Sequence, residues 1–383
     1  MSVYLDFNSS APIDPRVLDF MVSIYKGYAG NADSRTHDFG ENARKVVENA
    51  RKQVAGILKI DAGEVFFTSG ATESDNIALL GLRDYGIQSG KKHIITTSIE
   101  HKAVLGAAKK LAADGFEVEF VDPDMMGRVS AEEIIKKIRD DTLLVSMMHV
   151  NNETGVIQPV FEVGQILSER HILFHVDATQ SFGKLVEELQ VLKYDMMSMS
   201  AHKLGGPQGV GALILRKKKH KLPPVKNITY GGQQEHGIRP GTIPVALVAA
   251  LGKACELAQA EYAENSVKCL NIKLGFINLL KESGVSYHIN GDQDHCVPNT
   301  LNVCFDGVSS EALMLSVRRY CGISNGSACN SNSYEPSYVL QAMGLPVERI
   351  ESSVRISWGA ETDRQAIENA IEKLLCVVKA LAP

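Results

Sequence analysis

Short apolar runs alternate with longer segments of helical period between residues 60 and 216. Seven of these runs predict strands, at 64–68, 93–97, 117–121, 143–148, 172–176, 196–199 and 211–216. Several runs are apolar at both odd and even positions, as a strand must be when helices cover both faces of its sheet. Apolar residues at three- and four-residue intervals predict helices between them, at 75–86, 102–114, 131–140 and 160–170. The pattern predicts an α/β fold with a mostly parallel sheet.

The pattern changes after residue 244, where a long helical period begins and runs to about residue 281. Beyond it the chain has separate predicted strands and a last predicted helix, at 285–289, 300–305, 353–357 and 363–381. This order of elements predicts a smaller α+β domain beside the sheet domain. We expect a large domain over residues 13–258 and a small domain formed by residues 1–12 and 259–383.

Composition excludes several classes of protein. The chain of 383 residues is 44% hydrophobic with a net charge of −5, which excludes extensive disorder and argues against direct nucleic-acid binding. The basic run 216–221 precedes two prolines and predicts a solvated loop. The N-terminus lacks the features of a secretory signal, and no apolar run approaches the ~20 residues that a membrane span needs. We expect a cytoplasmic protein with no membrane partner.

All seven cysteines lie in the C-terminal third of the chain, and none is spaced as Cys-x-x-Cys. An odd number in a long chain predicts free thiols, with neither a disulfide framework nor a metal site. Cys255, Cys269, Cys304 and Cys376 fall in periodic or apolar segments and are predicted to be small buried side chains. Cys329 differs, because it lies in the polar run SNGSACNSNS, which predicts an accessible loop.

Ligands of open α/β sheets bind beyond the carboxyl ends of the strands, so the residues after each predicted strand are informative. The loop TSGATESD at 68–75 runs into a helix and suits a phosphate, although an ordinary helix cap explains it equally well. Asp177 ends an apolar strand, so it is either a structural ion-pair member or the partner of a ligand's protonated nitrogen. His101 follows another strand at the same edge.

Lys203 follows the strand at 196–199 and precedes two glycines. A lysine in a partly dry pocket has a lowered pKa and can form a Schiff base with a carbonyl group. Because Asp177, His101 and the loop at 68–75 are predicted at the same edge, Lys203 is poorly explained as an ordinary surface lysine. An aldehyde, a pyridine nitrogen and a phosphate describe pyridoxal 5'-phosphate.

At these residues the chain resembles, over essentially its whole length, the cysteine desulfurases of the NifS/IscS type. These are class V aminotransferase relatives with the pyridoxal-phosphate-dependent aspartate-aminotransferase fold (type I). The matching stretches are YLD (4–6), FTSGATESDN (67–76), EHKAV (100–104), HVNNE (149–153), HVDATQS (175–181), SAHK (200–203), RPGT (239–242), GSAC (326–329) and EPSY (335–338). So many ordered matches make the resemblance specific.

The resemblance implies a role for each matching residue. Lys203 carries the cofactor, Asp177 pairs with its pyridine nitrogen, and His101 stacks on its ring. Ring substituents and phosphate are contacted by Gln180, Asn152, Ala71, Thr72, Ser200, His202 and, from the neighbouring subunit of a homodimer, Thr242. Arg355 matches the arginine that grips the substrate carboxylate, where its two parallel donors suit a carboxylate, and Asn152 also contacts substrate.

The implied reaction converts L-cysteine to L-alanine and leaves a persulfide on Cys329 for transfer to an acceptor protein. Lys203 acts as a base after the substrate amine displaces it, and His101 is the candidate acceptor of the thiol proton. Two alternatives stay open. A related pyridoxal-phosphate enzyme such as a selenocysteine lyase is one, and a non-catalytic scaffold that keeps the fold is the other.

Three departures from the family pattern bear on the pathway. The family's LDxxATTP reads LDFNSSAP at 5–12, its GGGHE reads GGQQE at 231–235, and the chain ends at Pro383 without the C-terminal tail of the housekeeping type. The expected acceptor therefore belongs either to general iron–sulfur or tRNA-thiolation supply or to a dedicated pathway such as DNA phosphorothioation.

Overall fold

A computed structural model describes residues 2–27, 30–326 and 336–382. The strands are β1 Val3–Tyr4, β2 Val65–Thr68, β3 His93–Thr97, β4 Glu117–Val121, β5 Thr142–Met148, β6 Leu173–Asp177, β7 Met196–Ser200, β8 Gly211–Leu215, β9 Tyr287–Asn290, β10 Thr300–Phe305, β11 Cys321–Gly322 and β12 Ser353–Ser357. The helices are α1 Pro15–Gly27, α2 Asp38–Leu58, α3 Ala71–Leu80, α4 Arg83–Ser89, α5 Lys102–Ala113, α6 Ala131–Lys136, α7 Val160–Arg170, α8 Val186–Val191, α9 Val245–Ser283, α10 Ser310–Val317, α11 Tyr338–Ala342, α12 Val347–Glu351 and α13 Arg364–Leu381.

The central sheet has seven strands in the order β2-β8-β7-β6-β5-β3-β4. Only β8 runs antiparallel to its neighbours β2 and β7, while the remaining pairs are parallel. The prediction of a mostly parallel sheet is therefore confirmed. The carboxyl ends of β3, β5, β6 and β7 meet at one edge, which is where ligands bind in sheets of this kind.

Hydrophobic cores lie on both faces of this sheet. Ile95 and Val145 belong to a core that also contains buried residues of α2, α7 and α9. Their chain neighbours Ile94 and Leu144 belong to a second core that includes residues of α3 and α5. Consecutive residues of one strand therefore face opposite helical layers, which explains why the central strands are apolar without alternation.

A third core lies in the C-terminal part of the chain. It joins the antiparallel sheet β12-β10-β9 to the end of α9 and to α10 and α13, around the buried rings of Trp358, Phe276 and Phe305. The N-terminus belongs to this core as well, because β1 pairs with β11 and Leu5 is buried within it. This pairing brings residues from the start of the chain next to residues more than 300 positions away.

Some local predictions were wrong. The predicted helix at 75–86 is two helices, α3 and α4, separated at Gly81, where an added Cβ would lie 2.4 Å from the Ile77 carbonyl oxygen and 2.5 Å from that of Lys226. Cys376 is exposed on α13, whereas Cys255, Cys269 and Cys304 are buried as predicted. Helix α13 is amphipathic, and Cys376 lies outside the buried stripe that contains Leu374 and Leu375.

The basic run at 216–221 forms an exposed turn, as predicted, in which Lys218 and Lys221 pair. Lys217 lies 3.0 Å from Asp61 and Lys218 lies 2.6 Å from Asp195, so part of its charge is neutralised within the chain. Across the described residues, no helix has the length and hydropathy required to span a bilayer.

A buried ion pair fastens the segment after β8 to the sheet. Arg51 on α2 donates two hydrogen bonds of 2.8 Å to the Glu235 carboxylate and a third, of 2.6 Å, to the Val65 carbonyl. Glu235 also accepts a hydrogen bond of 2.8 Å from the Phe67 amide. Its backbone has a φ of 48°, in the left-handed region that is unfavourable for a residue with a side chain, so these contacts hold it there.

We expect Glu235→Ala to lower the free energy of unfolding by about 3–5 kcal/mol, because it leaves the Arg51 charge buried without its partner. Glu48→Ala is the matched control, since Glu48 also pairs with Arg51 but is half exposed, and its loss should cost less than about 1 kcal/mol. Chemical denaturation measures both values. Equal losses for the two variants would contradict the prediction.

Candidate active site

A cavity of about 890 Å³ opens at the carboxyl edge of the central sheet. Residues from the ends of β5, β6 and β7, from the starts of α3 and α5, and from segment 8–10 line it. It brings together most of the residues predicted from the sequence, namely Ala71, Thr72, His101, Asn152, Asp177, Gln180, Ser200, His202, Lys203 and Arg355. Thr242 is exposed and does not line this cavity, and Cys329 lies outside the described residues.

Lys203 sits in a 3-10 turn directly after β7, so the strand carries its side chain to the cavity. Its Nζ donates hydrogen bonds to the carbonyl oxygens of Asn8 and Ser9. Burial, followed by the positive charges of Arg355 and Lys184, lowers the pKa of Lys203 to about 7. Near neutral pH a substantial fraction of this amine is therefore uncharged and nucleophilic, as attack on a carbonyl requires.

Asp177 ends β6 and is 5% exposed, with Oδ1 accepting a hydrogen bond of 2.9 Å from the Thr179 amide. Two further acids are buried behind the cavity wall. Burial and the neighbouring charge of Asp177 raise the pKa of Asp75, and burial raises the pKa of Glu100 to about 8. Both acids are thus held towards their neutral forms, and of these three acids only Asp177 lines the cavity.

His175 on β6 contacts one of these acids, Asp75. Its Nδ1 lies 2.8 Å from Ser146 Oγ, and its Nε2 lies 3.0 Å from Ser198 Oγ and 3.5 Å from Asp75. Burial lowers the pKa of His175 to about 4, so the ring is neutral at physiological pH. A neutral ring held from both nitrogens fixes the strand that ends in Asp177.

Several buried polar atoms at the cavity have no hydrogen-bond partner among the described residues. They are Asn152 Oδ1, Thr179 Oγ1, Gln180 Oε1 and Arg355 Nε. An unpaired buried polar atom costs about 1–3 kcal/mol, so their presence in one cavity indicates a polar ligand. These atoms, together with Lys203 and Asp177, fit the polar substituents of pyridoxal phosphate.

The start of α3 fits a phosphate. Gly70 precedes the helix with a φ of 152°, and no side chain caps the first amides of the helix. A Cβ added at Gly70 would point towards Ser200 Oγ, 3.6 Å away, so the glycine leaves room beside that hydroxyl. Gly70 is the N-cap residue of α3 but offers no side chain to its first amides, and free amides at a helix start favour an anion.

His202 and His101 are both held towards the neutral form. Burial and the charge of Lys203 lower the pKa of His202 to about 4, and burial lowers the pKa of His101. His101 Nδ1 accepts a hydrogen bond of 3.2 Å from the Ala103 amide, so in the neutral ring the proton is on Nε2. This tautomer can donate at Nε2, which favours ligand contact over the expected role as acceptor of the thiol proton.

Arg355 lies on β12 and is 3% exposed. Its Nη2 donates to Asp6 at 2.7 Å, and its Nη1 donates to the Asn152 carbonyl at 3.0 Å. These two bonds orient the guanidinium from opposite sides, while Nε has no partner among the described residues. The C-terminal sheet thus supplies an oriented cation at the edge of a cavity that is otherwise built by the central sheet.

Sequence reasoning missed the roles of Asn8, Asp75, Glu100, Glu153 and His175. Asn8 is 3% exposed, and its carbonyl accepts from both Lys203 Nζ and Gln180 Nε2. The other four lie inside the motif stretches, where an ionisable residue in or beside a predicted strand was the available signal, whereas Asn8 lies outside those stretches and acts through its backbone carbonyl. No cluster of three or more potential metal ligands occurs within residues 2–27, 30–326 and 336–382.

Comparisons with known proteins show which family the chain belongs to. The family model for aminotransferase class-V matches residues 3–369. The cysteine desulfurase IscS of Vibrio vulnificus is 42% identical over 383 residues, all of this chain and 94% of the relative. The cysteine desulfurase IscS of Escherichia coli is also 42% identical, over 97% of this chain and 91% of its own length.

Solved structures show the same architecture. A NifS-like protein has a TM-score of 0.91 and 35% identity, with complete coverage of both chains. DndA from Streptomyces lividans has a TM-score of 0.81 and 42% identity, covering 93% of this chain and 99% of that one. A third structure, SspA in complex with cysteine, has a TM-score of 0.81 and 33% identity, over 94% of this chain.

Class-V aminotransferases depend on pyridoxal phosphate, whose aldehyde, pyridine nitrogen and phosphate correspond to the Lys203 amine, the Asp177 carboxylate and the start of α3. The family match spans nearly the whole chain, and the relatives are well above 30% identical over more than nine tenths of their own lengths. The chain therefore belongs to the aminotransferase class-V family of pyridoxal-phosphate-dependent enzymes.

Proposed function

We propose that this protein is a cysteine desulfurase, which converts L-cysteine to L-alanine and holds the sulfur as a persulfide on Cys329. The observation that carries the proposal is the buried Lys203 amine, which shares a cavity with Asp177 and the uncapped start of α3. The 42% identity with cysteine desulfurases over the whole chain supports cysteine as the substrate.

The residues of the cavity divide into those that hold the cofactor and those that hold the substrate. Lys203 attaches the cofactor aldehyde, Asp177 pairs with its ring nitrogen, and His101 and Gln180 contact the ring. Ala71, Thr72, Ser200 and His202 surround the phosphate. Bound pyridoxal phosphate supplies an electron sink that makes a proton on the substrate α-carbon acidic.

Arg355 binds the substrate carboxylate, since it is a buried, oriented guanidinium at the cavity edge. With cofactor and substrate bound, the Lys203 amine would act as the base that accepts and returns a proton. A pKa of about 7 suits both directions of transfer near neutral pH. Asn152 is placed to serve both cofactor and substrate. Its carbonyl accepts a hydrogen bond from Arg355, and its Oδ1 has no partner among the described residues.

Sulfur transfer requires a thiolate. The Cys329 thiolate attacks the sulfur of the bound cysteine, a sulfur–sulfur bond forms, and the bond from that sulfur to the substrate β-carbon breaks. The electron pair of that bond stays with the carbon skeleton, which is protonated to give L-alanine. The persulfide then passes to an acceptor protein of an iron–sulfur, tRNA-thiolation or DNA-phosphorothioation pathway.

We infer a cytoplasmic homodimer in which each subunit has two domains. The separate C-terminal core, which includes Leu5, supports a small domain of residues 1–12 and 259–383 beside a large domain of residues 13–258. Thr242 is exposed and lies away from its own cavity, which suits a phosphate contact made in the neighbouring subunit. Tyr230 lies in the same segment between β8 and α9 as Thr242, and it is 90% exposed. A large exposed ring near Thr242 supports a subunit interface at this surface.

Lys203→Ala should abolish turnover and the visible absorbance of the lysine-bound cofactor, because it removes the amine that would attach the cofactor aldehyde. Absorbance spectra and alanine production from cysteine measure both effects. Lys217→Ala is the control, since Lys217 lies in the exposed basic turn, and it should behave as wild type. A wild-type protein that stays colourless with added cofactor would indicate the non-catalytic scaffold instead.

Cys329→Ser should keep the cofactor absorbance and the spectral change on adding cysteine, but it should form no persulfide. The reason is that a serine hydroxyl cannot accept sulfane sulfur. Intact-protein mass spectrometry after a single turnover detects the added sulfur. Cys376→Ser, which removes an exposed free thiol, is the matched control. Persulfide formation at the wild-type rate in Cys329→Ser would exclude this assignment.

The rate of cofactor attachment to the apoprotein should rise with pH and level off above about 7, because the uncharged amine of Lys203 is the reacting form. Arg355→Gln should move the midpoint upwards, since removing a nearby positive charge favours the ammonium form. Stopped-flow absorbance between pH 6 and pH 10 measures the attachment rate. Arg364→Gln is the control, since Arg364 is exposed, and it should leave the midpoint unchanged. A rate that climbs without a plateau towards pH 10 would contradict it.

A further inference from the structure

Glu153 is a buried acid for which the proposed chemistry has no use. It lies in the turn after β5 and is 1% exposed. Its amide donates a hydrogen bond of 2.9 Å to Asn151 Oδ1, and its carbonyl accepts one of 3.2 Å from Asn302 Nδ2 on β10. The backbone of Glu153 is therefore fixed to both the central and the C-terminal sheets.

One carboxylate oxygen of Glu153 contacts the start of α11. Ser337 Oγ donates a hydrogen bond of 2.5 Å to Glu153 Oε2 and accepts one of 3.1 Å from the Leu340 amide. Ser337 is the N-cap residue of α11, and its hydroxyl has one proton to donate. By accepting this hydrogen bond, Glu153 holds the hydroxyl in the orientation that caps the helix.

The same oxygen lies against a second segment. A Cβ added at Gly326 would come within 2.4 Å of Glu153 Oε2, so only a glycine allows this approach. Gly326 has a φ of 86°, and its amide donates to Ser324 Oγ at 3.2 Å. Ser324 in turn exchanges two backbone hydrogen bonds with Arg355 on β12.

Gly326 and Ser337 flank residues 327–335, which contain Cys329 and lie outside the described residues. One buried oxygen atom thus meets the chain on both sides of the segment that carries the proposed nucleophile. Holding both ends of a segment at one point restricts the volume that a group within it can reach. This raises its effective concentration at a nearby site.

We propose that Glu153 is a positioning residue, which accepts a hydrogen bond from Ser337 and packs closely against Gly326 after the end of β5, and thereby sets the reach of Cys329 towards the cavity. Glu153, Gly326 and Arg355 all line that cavity, so the anchor and the substrate-binding cation share one wall. The inference rests on the proposed function, because it concerns the rate at which Cys329 receives sulfur.

The test compares holoenzyme variants in single turnover with cysteine. Glu153→Ala should slow persulfide formation between about 10- and 100-fold, the range for a reacting group displaced by about 1 Å. The cysteine concentration that half-saturates the cofactor's spectral change should stay within about 2-fold, since Arg355 and Lys203 keep their own hydrogen bonds in this variant. Glu153→Gln keeps an acceptor oxygen for Ser337 and should restore most of the rate. Exposed Glu162→Ala on α7 is the matched control.

Ser337→Ala and Gly326→Ala test each attachment separately and carry the test if Glu153→Ala fails to fold, which thermal unfolding detects. Each should slow persulfide formation without changing cysteine binding. Amide exchange at Leu340, measured without cofactor, should be faster in Glu153→Ala and near wild type in Glu153→Gln.

Wild-type persulfide rates in folded Glu153→Ala, or in both attachment variants, would overturn the positioning role. So would a Glu153→Gln variant as slow as Glu153→Ala, because the role proposed for Glu153 needs an acceptor and no charge. Failure of the wild-type enzyme to form a persulfide at Cys329 is a separate result. It would reject the desulfurase function, and the positioning role with it.

Discussion

Burial of the Lys203 amine is the condition on which the rest of the site depends. In water a lysine is almost entirely protonated at neutral pH and cannot attack an aldehyde. Here burial and the neighbouring charges of Arg355 and Lys184 lower its pKa to about 7. The carbonyls of Asn8 and Ser9 accept hydrogen bonds from the amine without supplying a negative charge, so they hold it in place while its pKa stays low.

The acids around the cavity follow from the same constraint. A carboxylate beside Lys203 would stabilise the ammonium form, so a low pKa requires that little negative charge lies close to the amine. Asp75 and Glu100 are buried where their neutral forms are favoured. Asp177 remains at the cavity wall, where the proposed function pairs it with the ring nitrogen of the cofactor. Separation of a neutral amine from a facing carboxylate is what pyridoxal-phosphate chemistry needs from its protein.

The two halves of the chain contribute different parts of one site. The central sheet supplies Lys203 and Asp177 from the carboxyl ends of its strands, whereas the C-terminal sheet supplies Arg355. Glu153 joins them, because its carbonyl accepts from β10 and its side chain reaches Ser337. Motion of one sheet relative to the other would therefore change cofactor and substrate contacts together.

Sequence pattern predicted much of the fold. Strands β3, β4, β10 and β12 and helix α7 have the predicted bounds, because strong periodicity and local turn residues define them. The predicted helix at 75–86 was wrong, because the break at Gly81 depends on a close approach to the Lys226 carbonyl, 145 positions away. Such a contact leaves no trace in local periodicity.

The sequence by itself determined the chemistry that is available. Lys203, Asp177 and His101 could be selected because each follows an apolar strand, and parallel strands end at the same edge. Only the tertiary structure decided the protonation and orientation of these groups. Burial and long-range neighbours shift pKa values, and the partners of Lys203 and Arg355 come from Asn8 and Asp6 at the far end of the chain. Local sequence cannot specify such contacts, because they form only when β1 pairs with β11 and brings the two ends together.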